Sequence, residues 1–222
     1  MTEPSSKNTD LSATVARIVT VAERRGPMAG KSIVVAFDGP AGAGKTTLAD
    51  VLAAALSADR GLHVPIVHMD DLYPGWDGLF PAVDLLVHHV LEPLAQGRPV
   101  FSPVYDWTAQ NFADPRPILS APWIVVEGVG CASRPCLPYL SAVIWTEASA
   151  DLRRARALRR DGDTFRPYWQ QWALQEEQLF AQEGTREQAD LILDTGRSEP
   201  AAPTPMTPPP ATPRKDLHAQ NG

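Results

Sequence analysis

The sequence predicts an α/β domain of three layers, a central and mostly parallel sheet with helices on both faces. Three observations carry this. Short β-branched runs alternate with stretches of helical periodicity, the pattern of βαβ units. The first such run passes through a glycine-rich turn into an alanine-rich helix. At 222 residues, 44% of them hydrophobic, the chain can bury one sizeable core and falls short of two large domains.

Residues 1–9 are polar and read as a disordered leader. From Asp10 to Arg25, Leu11, Val15, Ile18, Val19 and Ala22 share one helical face, and Gly26-Pro27 ends the helix. Ser32 to Phe37 is the first strand, followed after the turn by a helix to about Ala58. His63 to His68 forms a second strand ending in Met69-Asp70-Asp71. Val83 to Ala95 is helical. Ala121 to Val126 and Ala142 to Thr146 are apolar strands. Ala150 to Arg160 is an arginine-rich helix, Pro167 to Gln182 a polar-aromatic one, and Ala189 to Leu193 the last strand. Beyond Asp194 the composition changes. Pro200, Pro203, Pro205, Pro208, Pro209, Pro210 and Pro213 crowd a segment with almost no large apolar side chain, so 195–222 reads as a disordered tail.

A net charge of −6 argues against non-specific binding to nucleic acid or an anionic membrane. No run approaches the roughly 18 apolar residues of a membrane span, and the polar N-terminus is no signal peptide. Cys131 and Cys136 are too few for a disulfide framework and lack zinc-site spacing. The cytosol is the expected compartment.

Gly39-Pro40-Ala41-Gly42-Ala43-Gly44-Lys45-Thr46 fits G-x-x-x-x-G-K-[ST] in full, between a strand and a helix as its chemistry requires. Glycines let successive N–H groups converge on phosphate, and the helix N-terminus adds partial positive charge. The loop amides from Gly39 to Gly44 hold phosphates, Lys45 reaches the β/γ end, Thr46 ligates Mg²⁺ and Thr47 contacts the α-phosphate. ATP and Mg²⁺ are the expected ligands.

The remaining segments narrow the reaction. No guanine-reading N-K-x-D or L-S-G-G-Q signature occurs, and the strand Trp123-Ile124-Val125-Val126 ends in Glu127-Gly128 rather than Asp-Glu. Asp70 and Asp71 stand at the C-terminal end of a strand, the rim where open α/β sheets bind ligands. A carboxylate there can orient an attacking hydroxyl and take its proton; capping a turn is the plainer use of such aspartates. A small-molecule kinase is the class that remains.

These residues resemble the uridine kinase-like P-loop kinases, which include phosphoribulokinase, pantothenate kinase and nicotinamide riboside kinase. The resemblance runs from about Ile33 to Asp194. It implies a P-loop sandwich with an arginine-bearing lid. Asp70-Asp71-Leu72-Tyr73 is similar to the family's D-D-F-Y segment, implying Asp70 as catalytic base and Asp71 and Tyr73 beside the acceptor. Phe80-Pro81-Ala82-Val83-Asp84 is similar to its H-P-x-A-F-D, nominating Asp84 for ribose hydroxyls. Pro103-Val104-Tyr105-Asp106-Trp107 matches its Y-D-F segment. Val125-Val126-Glu127-Gly128 matches its E-G strand, implying Glu127 near Mg²⁺ together with Thr46. The closing A-D-x-I-I strand resembles Ala189-Asp190-Leu191-Ile192-Leu193. The family's base-contacting His and a nearby Arg fall at Gln110 and Phe112, so the acceptor-reading positions depart while the catalytic ones are kept.

Arg153, Arg156 and Arg160 lie on one helix face and read as a lid over the triphosphate, Arg153 and Arg156 foremost, unless they are merely a solvated basic face. Arg166 is a further candidate for the nucleotide. Tyr105 either stacks on a planar acceptor or fills the core, and Gln110 lies in the acceptor segment. Trp169, Trp172 and Phe180 read as packing. His63 and His68 receive no metal role. The expected function is ATP- and Mg²⁺-dependent phosphoryl transfer to a hydroxyl of a nucleoside or related ribosyl compound. The rivals are a cytidylate-type monophosphate kinase and a non-catalytic ATP-binding regulator.

Overall fold

The computed structural model describes residues 6–196. Helix α1 (Ser6–Arg25) begins earlier than expected, so residues 6–9 of the expected leader are helical; residues 1–5 and 197–222 lie outside the described residues. Next come β1 (Ile33–Asp38), α2 (Lys45–Arg60), β2 (Ile66–His68) and α3 (Leu79–Leu86). The chain then runs through a π-helical stretch, Val87–Leu91, into a short α4 (Glu92–Ala95). Pro93 has no N–H to return to the previous turn, and the Glu92 amide bonds Val87 five residues back instead. After β3 (Val100–Asp106) and β4 (Asn111–Ile118) follow β5 (Trp123–Glu127) and β6 (Ala142–Glu147). The chain closes with α5 (Ala150–Phe165), α6 (Trp169–Glu183) and β7 (Leu191–Asp194).

Five strands form one wholly parallel sheet in the order β2-β5-β1-β6-β7. Strand β1 is central and buried almost end to end, as a strand covered on both faces must be. Its side chains alternate between two cores. Val34 and Ala36 pack with Val126, Leu86, Trp172 and Leu179 under α3 and α6. Val35 and Phe37 pack with Ile18, Ala22, Leu52, Leu56 and Ile144 under α1 and α2. These are the three layers the alternation predicted. Because the chain goes from β1 to β2 and β5 on one side and then crosses to β6 on the other, the C-terminal end of β1 is a switch point, where such sheets form a crevice.

Two features were not foreseen. Strands β3 and β4 form an antiparallel hairpin outside the main sheet. Its turn is fastened by Asp106, whose Oδ1 accepts from the Thr108 and Ala109 amides at 2.8 and 2.9 Å, and Gln110 closes it at φ 54°. Thr195, read from sequence as part of the tail, belongs to the domain. Its amide donates to the Glu147 carbonyl at 2.8 Å and its hydroxyl to the Ala43 carbonyl at 2.8 Å. Among the described residues no helix is long and apolar enough to cross a membrane.

Candidate active site

The phosphate loop follows β1 without a spare residue. Asp38, the last residue of β1, is fully buried. Its Oδ1 accepts from the Gly39 and Gly130 amides at 2.6 and 3.0 Å, its Oδ2 from Ala132 at 2.9 Å. Burial raises its pKa, against the pull of those three amides. Asp38 thus ties the loop after β1 to the loop after β5, and sequence reasoning passed it over. Two loop glycines are required by close approach. A Cβ on Gly39 would overlap the Thr146 carbonyl, and one on Gly42 the Arg153 carbonyl, both at positive φ. The lid helix therefore starts directly against the loop. Gly44 precedes α2 at φ 92°, with Ala43 buried behind it, and Thr46 and Thr47 occupy the first turn of α2.

Lys45 is buried, and its Nζ donates to the Gly39 and Pro40 carbonyls at 2.7 and 3.0 Å. The Ala41 amide does not face the cradle as expected. It donates to Glu176 Oε1 at 2.7 Å, so this residue shapes the loop and its N–H is already taken.

Glu127, buried at the end of β5, receives the Thr46 hydroxyl on Oε2 at 3.1 Å and faces His68 Nδ1 on Oε1 at 2.7 Å. The hydrogen bond to Glu127 raises the His68 pKa, outweighing its partial burial. The structure thus places His68 in the site although its spacing had suggested nothing. Thr46 and Glu127 bring two hard oxygen donors together, the donor type Mg²⁺ selects, at the first turn after the glycine loop.

Asp70 follows β2 in a short 3₁₀ turn, Met69–Asp71. Asp70 is an exposed residue, yet protein atoms crowd its carboxyl group. That crowding raises its pKa, and the charge of Glu127 adds to the rise; Arg160 and Lys45 oppose it. Lys45, Glu127, Asp70 and Arg160 therefore share one electrostatic neighbourhood. The backbone of Asp70 is held by the Trp107 indole, which donates to its carbonyl at 3.0 Å. Asp71 accepts from Arg116 of β4 at 2.9 Å, joining the hairpin to the same turn. Tyr73 corrects an expectation. It is 2% exposed, its hydroxyl donates to the Val129 carbonyl at 2.9 Å and its ring meets Trp172 edge-on, so it is core and has no surface to offer an acceptor.

The lid arginines are already engaged. Arg153 Nη1 donates to the Ala41 carbonyl at 3.2 Å. Arg156 donates to the Thr195 hydroxyl and carbonyl at 2.9 and 3.1 Å. Arg160 pairs with Asp161 at 2.8 Å, and its charge opposes the rise of the Asp70 pKa. Gly162 breaks the helix at φ 57°, ψ −132°. Arg166, beyond that break, pairs with Asp163 at 3.4 Å on the surface.

On the other side of the cleft, Tyr105 lies edge-on to Trp107 and Phe112, at 5.4 and 5.3 Å between ring centres. Trp76 continues the array, 4.7 Å from Trp107 and stacked parallel to Tyr168 at 4.5 Å. Tyr105 is half-buried in this wall, and Gln110 stands at the exposed tip of the hairpin. Asp84 lies on the exposed side of α3.

The architecture has solved counterparts. A possible uridine kinase from Bacillus stearothermophilus superposes with a TM-score of 0.60 at 22% identity, covering 84% of this chain and 98% of that one. A candidate fructose transport system kinase from Silicibacter sp. TM1040 gives 0.55, also at 22% identity, over 82% and 98%. The chain shares the three-layer, parallel-sheet fold of these two structures. No protein-family model and no curated protein matches the chain by sequence.

Proposed function

We propose that the protein is an ATP- and Mg²⁺-dependent kinase that transfers the γ-phosphoryl group to a hydroxyl of a small molecule, a nucleoside or a related ribosyl compound. One observation carries the reading. The loop that follows β1 brings buried Lys45 and Thr46 to the end of β5, where the Thr46 hydroxyl meets buried Glu127 at 3.1 Å, at the strand ends where an open parallel sheet takes its ligands.

Each residue has a part that follows from its chemistry. The loop from Gly42 to Gly44 presents its backbone to the phosphates, and Lys45 neutralises charge toward the β/γ end. Thr46 and Glu127 are the oxygen donors that would hold Mg²⁺, with His68 orienting Glu127 from behind. The metal, when bound, neutralises phosphate charge. Asp70 accepts the proton of the acceptor hydroxyl as its oxygen attacks phosphorus. Arg160 and Arg153 supply positive charge where the transferred group becomes most anionic. Asp71, held by Arg116, and the aromatic wall of Tyr105, Trp107 and Trp76 border the acceptor space. Asp84 and Gln110 complete the expected acceptor set.

The test is an ATP-consumption assay with Mg²⁺ against nucleosides, nicotinamide riboside, pantothenate and nucleoside monophosphates, with Asp70→Asn in parallel. One hydroxyl acceptor is turned over and the activity disappears in Asp70→Asn. Turnover of CMP but not cytidine would replace this reading with a monophosphate kinase, and an inert panel with ATP still bound would leave a nucleotide-binding regulator.

A further inference from the structure

Glu176 belongs to none of the motifs, yet its carboxylate is lodged between the phosphate loop and the first turn of the lid. It lies in α6 and is 4% exposed. Oε1 accepts from the Ala41 amide at 2.7 Å and from the Trp172 indole at 2.9 Å. Oε2 stands 3.9 Å from Arg153 Nη1, the same nitrogen that donates to the Ala41 carbonyl at 3.2 Å. Ala41 is thus held at its N–H by Glu176 and at its C=O by Arg153.

A buried carboxylate is costly, and an uncharged side chain of the same shape would accept the same two hydrogen bonds more cheaply. The charge is what needs explaining. Burial pushes the Glu176 pKa up; Lys45, the Ala41 amide, Arg153 and the Trp172 indole oppose that rise. Two of these four, Lys45 and Arg153, are cations at the loop. Lys45 serves the β/γ end of a triphosphate, and its ammonium rests against Gly39 and Pro40. The Gly39–Ala41 half of the loop is therefore the γ end. A long arginine side chain is entropically free unless something holds it. In this site Glu176 and the Ala41 carbonyl hold Arg153 Nη1 at that end, while its Nε donates to the Ala148 carbonyl at 3.3 Å.

We infer that Glu176 is a positioning residue for the γ-phosphate, acting through Arg153 and the Ala41 backbone, so that its charge sets how well ATP is told from ADP. The inference rests on nucleotide binding at the loop and is independent of which acceptor the protein uses.

The full chain is titrated with N-methylanthraniloyl-labelled ATP and ADP in Mg²⁺, with no acceptor present. Glu176→Gln keeps an oxygen for Ala41 and Trp172 and removes only the charge. ATP binding then weakens roughly three- to tenfold while ADP binding moves by less than about twofold. Arg153→Ala gives the same ATP-selective loss, and adding Glu176→Gln to it changes nothing further, because both act through one group. If the Glu176→Gln chain does not fold, Glu176→Asp, which keeps the charge but draws it back from Arg153, takes its place and gives a smaller loss confined to ATP. Equal weakening of both nucleotides makes Glu176 a structural support and overturns the inference. So does no change in either, and so does tighter ATP binding, which would make the carboxylate a repelling counter-charge. A wild-type chain that binds neither nucleotide overturns the kinase reading itself, and this inference with it. Nucleotide binding without turnover of any acceptor counts against the kinase reading alone.

Discussion

On the proposed reading Asp70 is the base, and its charge state decides the rate. Changing it to Asn keeps the shape and the Trp107 bond to its carbonyl, and removes the base. The turnover number then falls about 10²- to 10⁴-fold, the usual worth of general base catalysis, while labelled ADP binds as before. The active form is the carboxylate, and cleft crowding and Glu127 raise its pKa above the ordinary 3.8. Activity therefore climbs as pH rises through that raised value and then levels off. A kcat/KM profile checks this, and the climb is absent from whatever residual rate Asp70→Asn retains. At this scale motif spacing singled out Lys45, Thr46, Asp70 and Glu127, and the fold sets Thr46 against Glu127. The sequence was silent on Asp38, His68 and Glu176, each an ordinary polar residue until the fold brings distant backbone or a distant carboxylate against it. Tyr73 misled because a tyrosine beside two aspartates looks available until its hydroxyl is found on Val129.

The elements join through the backbone as much as through side chains, and two glycines show the difference. Gly42 and Gly162 both have positive φ, so any other residue strains the chain at either, by about 1–3 kcal/mol. Only at Gly42 does the added Cβ also meet backbone, the Arg153 carbonyl in the first turn of α5. Gly42→Ala should thus lower the thermal midpoint and also weaken nucleotide binding, since loop and lid have to part. Gly162→Ala should lower the midpoint by the strain alone and leave labelled ADP binding unchanged, because nothing lies within 4 Å of its Cβ position. Equal binding losses in the two variants would refute the close packing of loop and lid. Most elements could be read from hydrophobic period, because β1, β5 and β6 are short buried runs between turn residues. The β3–β4 hairpin could not. Asn111–Ile118 exposes nearly every side chain and carries Pro115 and Pro117, so it shows neither alternation nor an apolar run.

For the whole molecule, the important fact is that the walls of the nucleotide cleft come from opposite ends of the sequence. Gly42 and Lys45 follow β1, Arg153 and Arg156 belong to α5, Glu176 to α6, and Thr195 comes after β7 and bonds back to Ala43. The parallel sheet was legible from alternating strands and helices, but which loops meet was not, since that depends on the order β2-β5-β1-β6-β7. A site assembled this way exists only in the folded chain, so a ligand that fills it stabilises the fold by mass action. At a hundred times its dissociation constant the gain is about 2.7 kcal/mol, which for a chain of this size raises the midpoint by roughly 5–10 °C. Differential scanning fluorimetry with MgATP should show that rise. It should fall below about 1–2 °C in Lys45→Ala, where the ammonium that neutralises the phosphates is gone. A full rise that persists in Lys45→Ala would move the nucleotide away from the glycine loop. With it would go the roles of Asp70, the lid arginines and Glu176, which all depend on a phosphate chain lying in that loop.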